Sequence, residues 1–340
     1  MTLSKHPASG RQWGLLSVLL IAVVVSFSAC KSNDDNTPAP KTINDLISAG
    51  NGTTNQFTIF KKALQLANLS GPLSQAGTYT VFAPTDAAFR LFGYADTNAI
   101  KAPSAAPLLA AVVQYHILST RLEASAIPTA INTAQQTLSG GTLYTSKVAS
   151  ATGTSTSVSV NGAHVLSSNS DASNGVIHVI DRVLLPPAFG NVVATIQGIP
   201  SILPTASFTF LQAAIAKIGT TAVSSLTSTG PITVFAPTDA AFTAAVPTIK
   251  TAADVSAMTA QQLTAILSYH IVPGRIYTPT VTNGTSLTTA QTGTVTLGTS
   301  TTSVTVTGKG NGSTASNITG PDITATNGVV HIIDRLLLPQ

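Results

Sequence analysis

Two periodicities alternate along this chain. Segments whose apolar residues recur at spacings of three and four have the pitch of one helix face, and short runs alternating Val, Ile and Thr have that of a strand. Leu263, Ile266, Leu267 and His270 share one such helical face. Leu108, Val112 and His116 share another, with Pro107 near the predicted helix start. Strand patterns occur at Thr80-Val81-Phe82, which Pro84 breaks, and at Val158 and Val160, which precede Asn161-Gly162, a favoured hairpin turn. Val304 and Val306 lead instead into a Gly/Asn/Ser-rich stretch that reads as an enlarged surface loop. Alternating Val, Ile and His follow Asn-Gly at residues 174–175 and 327–328, each run ending in Leu-Leu-Pro. Helical and strand patterns interleaved in this way predict an α+β fold with a largely antiparallel β core.

The N-terminus follows neither pattern. Lys5, His6 and Arg11 precede a continuous apolar run from Gly14 to Phe27, followed by Ser28, Ala29 and Cys30. A basic start, a short apolar stretch and small residues before a cleavage point make residues 1–29 a predicted secretory signal peptide. The run is shorter than the roughly 20 residues a membrane-spanning helix needs. Ser-Ala-Cys resembles the lipobox of bacterial lipoproteins, with Phe27 where Leu is usual. That resemblance implies that Cys30, the sole cysteine, receives a diacylglycerol and becomes the first residue after cleavage. Two or three acyl chains hold a protein at a membrane where one does not. Residues 30–41, polar and proline-bearing, are expected to form a disordered tether. Lys31 after the cysteine, with Asp34-Asp35 close behind, resembles outer-membrane sorting and surface-export signals. The expected location is therefore the outer membrane, facing the cell surface.

The remainder repeats. TVFAPTDAAF at Thr80–Phe89 recurs unchanged at Thr233–Phe242, and NGVIHVIDRVLLP at Asn174–Pro186 returns as NGVVHIIDRLLLP at Asn327–Pro339, both offset by 153 residues. Tyr115-His116 maps onto Tyr269-His270 at an offset of 154. So long a period means tandem globular domains, since solenoid repeats run about 20–50 residues. The joint PPAFG at Pro186–Gly190 is short and stiff, which should hold the two domains close. Within the first box Thr85 suits a helix N-cap, Asp86 lies in the favourable first turn, and Pro84 and Phe89 occupy the positions of a hydrophobic staple. Thr238, Asp239, Pro237 and Phe242 repeat the arrangement. These boxes and the central Tyr-His pair resemble the fasciclin (FAS1) domain, over about 42–187 and 191–340. The resemblance implies two tandem domains, each a wedge-shaped β-sandwich with packed helices, on a secreted or membrane-anchored protein with roles in adhesion and matrix contact. Leu118-Ser119-Thr120 departs from the pattern that Val272-Pro273-Gly274 keeps, so the turn after the first Tyr-His is expected to differ.

Composition narrows the chemistry. Charged residues are 8% of the chain, about a third of the usual share, and Thr, Ser and Ala stand in their place. Loss of Lys5 and Arg11 with the leader leaves 14 basic against 12 acidic residues. Without a basic cluster able to neutralise several phosphates, no nucleic-acid partner is expected. A single cysteine excludes a disulfide framework and a multi-thiolate metal site. Neither Gly-x-Ser-x-Gly nor His-Glu-x-x-His occurs, no glycine-rich phosphate loop follows a strand, and Glu123 has no counterpart in the second copy. No catalytic, metal or cofactor residue is nominated. Tyr115, His116, Tyr269 and His270 are candidates for partner binding or for structure, because the same region of animal fasciclin domains has been linked to integrin recognition. Both histidines continue an apolar face, which favours packed, hydrogen-bonded side chains. His178 and His331 on the closing strands read the same way, and Asp181-Arg182 and Asp334-Arg335 read as local ion pairs. The sequons at Asn51, Asn283, Asn311 and Asn317 read as accidents of a Thr/Ser-rich chain behind a bacterial lipobox. The expected function is non-enzymatic adhesion to an extracellular protein or polysaccharide. A carbohydrate-capture module of a surface uptake system is the alternative, disfavoured because the one Trp lies in the leader.

Overall fold

The computed structural model describes residues 39–340 apart from 51–55, 101–105, 150–155, 204–205, 228–229 and 301–302. The leader, Cys30, most of the tether and the Asn51 sequon lie outside the described residues.

The first domain runs α1 (Ile43–Ala49), α2 (Thr58–Leu66), β1 (Tyr79–Pro84), α3 (Asp86–Leu91), α4 (Ala106–Tyr115), β2 (Ile117–Leu118), β3 (Thr133–Gln136), β4 (Thr142–Ala149), β5 (Thr156–Val160), β6 (Ala163–Ala172) and β7 (Gly175–Ile180). The second runs α5 (Val192–Ile202), α6 (Thr209–Thr227, broken at Gly219), β8 (Ile232–Pro237), α7 (Asp239–Ala245), α8 (Ala252–Ala257), α9 (Ala260–Tyr269), β9 (Ile271–Pro273), β10 (Thr285–Thr288), β11 (Thr294–Thr299), β12 (Val304–Gly308), β13 (Ser316–Ala325) and β14 (Gly328–Ile333). Each domain has one seven-stranded sheet, ordered β2-β1-β7-β6-β5-β4-β3 and β9-β8-β14-β13-β12-β11-β10. The sheet curls until its edges meet: Leu138 N–H reaches the Ile117 carbonyl at 2.7 Å, and Ala290 N–H reaches Ile271 at 2.8 Å. The result is a nearly closed wedge with helices against one side.

All pairings are antiparallel except β1 with β7 and β8 with β14. These parallel strands are the boxes of the repeat, and they lie buried on both faces instead of alternating between core and solvent. Val81, Ala83, Ile177 and Val179 face the helix layer, where they join Phe60, Leu64, Phe89 and Val113. Phe82 and Ile180 face the wedge interior with Tyr115, Leu143 and Val160. The second domain divides its core the same way, Val234, Ala236, Val330 and Ile332 toward the helices and Phe235 and Ile333 inward. Gly175 and Gly328 permit this close pairing, since a Cβ at either would lie 2.1 Å from the carbonyl oxygen of Tyr79 or Ile232.

Local signals act as the sequence predicts at several points. Thr85 and Thr238 accept from the N–H groups of Ala88 and Ala241 and cap α3 and α7. Asn161-Gly162 turns β5 into β6 with both residues at positive φ (43° and 83°), the geometry of a type I′ hairpin. The first-copy helical face is displaced by one residue from the expected one. Val113 is buried and Leu109 packs on the core, whereas Val112 is half-buried. The cause is the last turn of α4, where His116 N–H bonds Val113 at i−3, which brings residue 113 under His116.

Candidate functional site

The two Tyr-His pairs sit where the helix layer meets the wedge interior. His116 and His270 are fully buried, at 0% and 2% exposure. The N–H of Leu184 donates to Nε2 of His116 at 2.8 Å, so Nδ1 carries the proton and donates to the Val112 carbonyl at 2.7 Å. His270 repeats this with Leu337 N–H at 3.0 Å and the Ile266 carbonyl at 2.8 Å. Each imidazole thus staples the segment after the closing strand to the end of the helix before β2 or β9. Burial pushes both down from 6.5 to about 4, so both are neutral at ordinary pH. With both nitrogens engaged by main chain, neither ring offers a surface, a metal ligand or a proton to a partner.

Tyr115 and Tyr269 point into the wedge. Their hydroxyls donate to the carbonyls of Thr142 and Thr294 at 2.7 and 2.6 Å. The Tyr115 oxygen accepts from Asn161 Nδ2 at 2.8 Å, whereas that of Tyr269 accepts from Lys309 N–H at 2.9 Å. Burial raises the Tyr115 phenol above its ordinary range. His178 and His331 stack on Phe82 and Phe235, donate from Nε2 to the carbonyls of Leu122 and Ile276, and accept at Nδ1 from the N–H groups of Asn169 and Asp322. Burial lowers both. Among the described residues no cluster of three or more His, Cys, Asp or Glu side chains is placed to hold a metal ion.

Several residues singled out for one role perform another. Asp86 reaches back across the fold, accepting from Ile59 N–H at 2.9 Å and Thr58 Oγ1 at 2.7 Å, and so caps α2. Asp239 does the same for α6 through Thr209 and Phe210. Burial alone would raise the Asp239 carboxyl, but the N–H of Phe210 and the hydroxyls of Ser207 and Thr209 outweigh it and hold the group below its ordinary value. Asp181 and Asp334 accept from the main-chain N–H of His164 and Asn317 rather than pairing with the adjacent arginines. Glu123 pairs with Arg121 at 2.7 Å.

Arg121 and Arg275 were not singled out, although both stand five residues after a Tyr-His histidine in YHILSTR and YHIVPGR. Each guanidinium clamps the turn into the closing strand, Arg121 on the Gly175 carbonyl at 2.7 Å and Arg275 on Gly328 at 2.6 Å. The intervening turn differs as expected: Gly274 has φ of 92°, which Thr120 does not share. Thr80 and Thr233 nevertheless bond both turns alike, to the carbonyls of Thr120 at 2.6 Å and Gly274 at 2.7 Å.

Arg182 crosses to the other domain and meets Asp322 at 2.8 Å. The Asp322 side chain is 2% exposed and also accepts from Thr278 N–H at 2.7 Å and from the Thr278 hydroxyl. It rests on the tip of the Asn161-Gly162 hairpin, where a Cβ on residue 162 would lie 2.2 Å from the Asp322 carboxyl carbon. Nearby, Asn132 donates to the Arg275 carbonyl at 2.7 Å, and the Arg275 guanidinium lies 4.5 Å from the Tyr144 ring centre. One face of the only ring lining the open groove there is therefore occupied by protein. The joint between the domains is built of hydrogen bonds, one ion pair and one cation–π contact.

The Fasciclin domain family matches this chain twice, at residues 55–186 and 206–339. Protein sll1483 of Synechocystis is 35% identical over 141 residues, 42% of this chain and 72% of its own length. The transforming growth factor-beta-induced protein ig-h3 of Oryctolagus cuniculus is 27% identical over 99% of this chain, which spans about half (46%) of that relative. A solved FAS1 domain pair from the insect cell adhesion molecule fasciclin I aligns with 83% of this chain and 97% of its own, at 16% identity and a TM-score of 0.34. With two full matches in tandem, each containing a Thr-capped box, a buried Tyr-His pair and a closing parallel strand, the chain belongs to the fasciclin domain family.

Proposed function

We propose that this chain is an exported surface lipoprotein, held by acyl groups on Cys30, whose paired fasciclin domains mediate adhesion without catalysis. The observation that carries the reading is the arrangement of its parts: a lipobox-like Ser-Ala-Cys, a short polar tether, and then two domains joined side by side through Asp322 and Arg182. A pair joined in this way presents two similar faces at fixed separation, which raises avidity when both engage. The buried state of the Tyr-His pairs places partner recognition elsewhere, on the neutral, hydroxyl-rich outer surface. No described helix is long and apolar enough to cross a membrane, so the reading assigns membrane attachment to the lipid.

The experiment is deletion of the gene followed by assays of surface attachment and cell–cell aggregation, with complementation by the parent and by Cys30→Ala. Attachment should fall on deletion, return with the parent, and stay low with C30A, which should also lose a metabolic fatty-acid label. Unchanged attachment in the deletion strain would refute the adhesive role. A labelled C30A protein would refute the anchor.

A further inference from the structure

Beyond adhesion, the junction of the domains encloses a hollow with the character of a ligand site. It measures about 500 Å³ and is walled on one side by the end of α3 and by α4, where Phe92, Tyr94 and Val112 face it. The connector supplies Leu185 and Phe189, and the second domain supplies Ile323 and Thr324, both buried. These walls are fixed by contacts of their own. The Tyr94 ring packs 5.9 Å from that of Phe92 and 6.3 Å from that of Phe89. Phe189 lies on α5 because residue 198 is glycine; a Cβ there would come within 2.2 Å of the ring.

The polar groups of the lining are engaged elsewhere. The Thr324 hydroxyl bonds the Tyr277 phenol at 3.2 Å, and the Ser201 hydroxyl donates to the Gly198 carbonyl at 2.6 Å. No charged side chain lines the space. An adjoining hollow of about 340 Å³ shares Phe92, Leu185 and Ile323 and reaches Arg182 and Asp322, whose charges already satisfy one another. A charged ligand entering the larger hollow would lose its hydration without finding a partner. A volume of this size at a domain junction, with aromatic rings converging from three separate segments, is that of a small-molecule pocket rather than a flat protein contact. We infer that this cleft binds a neutral hydrophobic small molecule, held by ring contact with Phe92, Tyr94 and Phe189.

The test is fluorescence titration of the full chain with the neutral dye N-phenyl-1-naphthylamine. One dye should bind per chain, saturably. Val112→Trp and Ala188→Trp, which fill the cleft from opposite walls, should each weaken binding about tenfold or more. Leu166→Ser, which removes an exposed apolar side chain on β6 outside the cleft, should leave it unchanged. The apolar leader is common to all variants and contributes an equal background. Ser201→Trp, at the exposed rim, gives the same readout if an interior replacement unfolds. Absence of saturable binding, or undiminished binding in folded cleft variants, overturns the inference. Dye release on raising protein concentration, with dimers in sedimentation, would put a second copy in the cleft and overturn it too.

Discussion

Around their buried histidines the two domains solve one packing problem with different side chains. In the first, the Phe60 ring lies 5.8 Å from the His116 ring and fills the space between helices and sheet. In the second, Leu211 stands at the matching place on α6, and a hollow of about 40 Å³ remains, lined by Leu211, Ile196, Ile215, Leu267 and His270. Its neighbour compensates only in part: Phe210 replaces Ile59 and packs edge-on against Phe242 at 5.9 Å. A second contrast concerns charge. Asn169 and Asp322 occupy the same bulge at positive φ (58° and 66°), and each accepts a main-chain N–H, from Ala124 and Thr278. Only Asp322 faces Arg182 of the other domain. Framework bonds are thus shared by both copies, while aromatic filling and surface charge have diverged to suit each copy's neighbours.

The shared framework is tested most strongly by acid. His116 and His270 are held near 4 in the fold against 6.5 in the unfolded chain, so the unfolded state takes up protons first as pH falls. Stability should therefore be unaffected by these groups above pH 6.5 and decline from there toward pH 4, by on the order of 3 kcal/mol per histidine. Urea unfolding at a series of pH values reads this. His116→Gln and His270→Gln should each flatten the slope by a similar amount. A distinctly shallower contribution from His270 would mean that water reaches it through the adjacent hollow.

The divergent charge comes next. Arg182→Met leaves the buried Asp322 carboxylate without its cation and should lower stability by about 3 kcal/mol. Asp322→Asn should cost less, about 1 kcal/mol, since Asn169 shows that the amide fits this bulge and keeps the main-chain bond. A double-mutant cycle by urea unfolding measures the coupling, and additive effects would remove the ion pair from the account of the joint. The smallest effect concerns filling. At ~24 cal/mol per Å³ the hollow of about 40 Å³ forfeits about 1 kcal/mol. Leu211→Phe should recover roughly that amount, and Phe60→Leu should lose roughly 1–2 kcal/mol. Differential calorimetry of both variants decides this; a destabilised L211F would show that the two sites are not equivalent.

What could be read beforehand was local. Thr85 and Thr238 announce helix starts because a cap acts within three residues, and Asn161-Gly162 announces a hairpin because the turn needs positive φ at two adjacent positions. The wedge, its tandem repetition and the buried character of the Tyr-His histidines follow from boxes and spacing. The distant partners of charged groups were not legible. Asp86 sits in the first turn of one helix, yet its oxygens cap another helix 27 residues earlier in the chain. Arg182 adjoins Asp181 in sequence, yet strand geometry sends its guanidinium to a residue 140 positions away. Periodicity also misplaced the α4 face, because a tightened final turn shifts the register by one residue. Arg121 and Arg275 could have been found from their matched positions in the repeat.

The parallel pairing of β1 with β7, and of β8 with β14, bears on how such a molecule carries load. Tension between the ends of a domain reaches one of these strands at its start and the other at its finish, so the two are drawn lengthwise past each other. The rungs joining them, six residue pairs in each domain, then resist together instead of parting one at a time as a peeled hairpin does. A tether built from two such clamps in series stays folded under pulls that would unzip an ordinary meander.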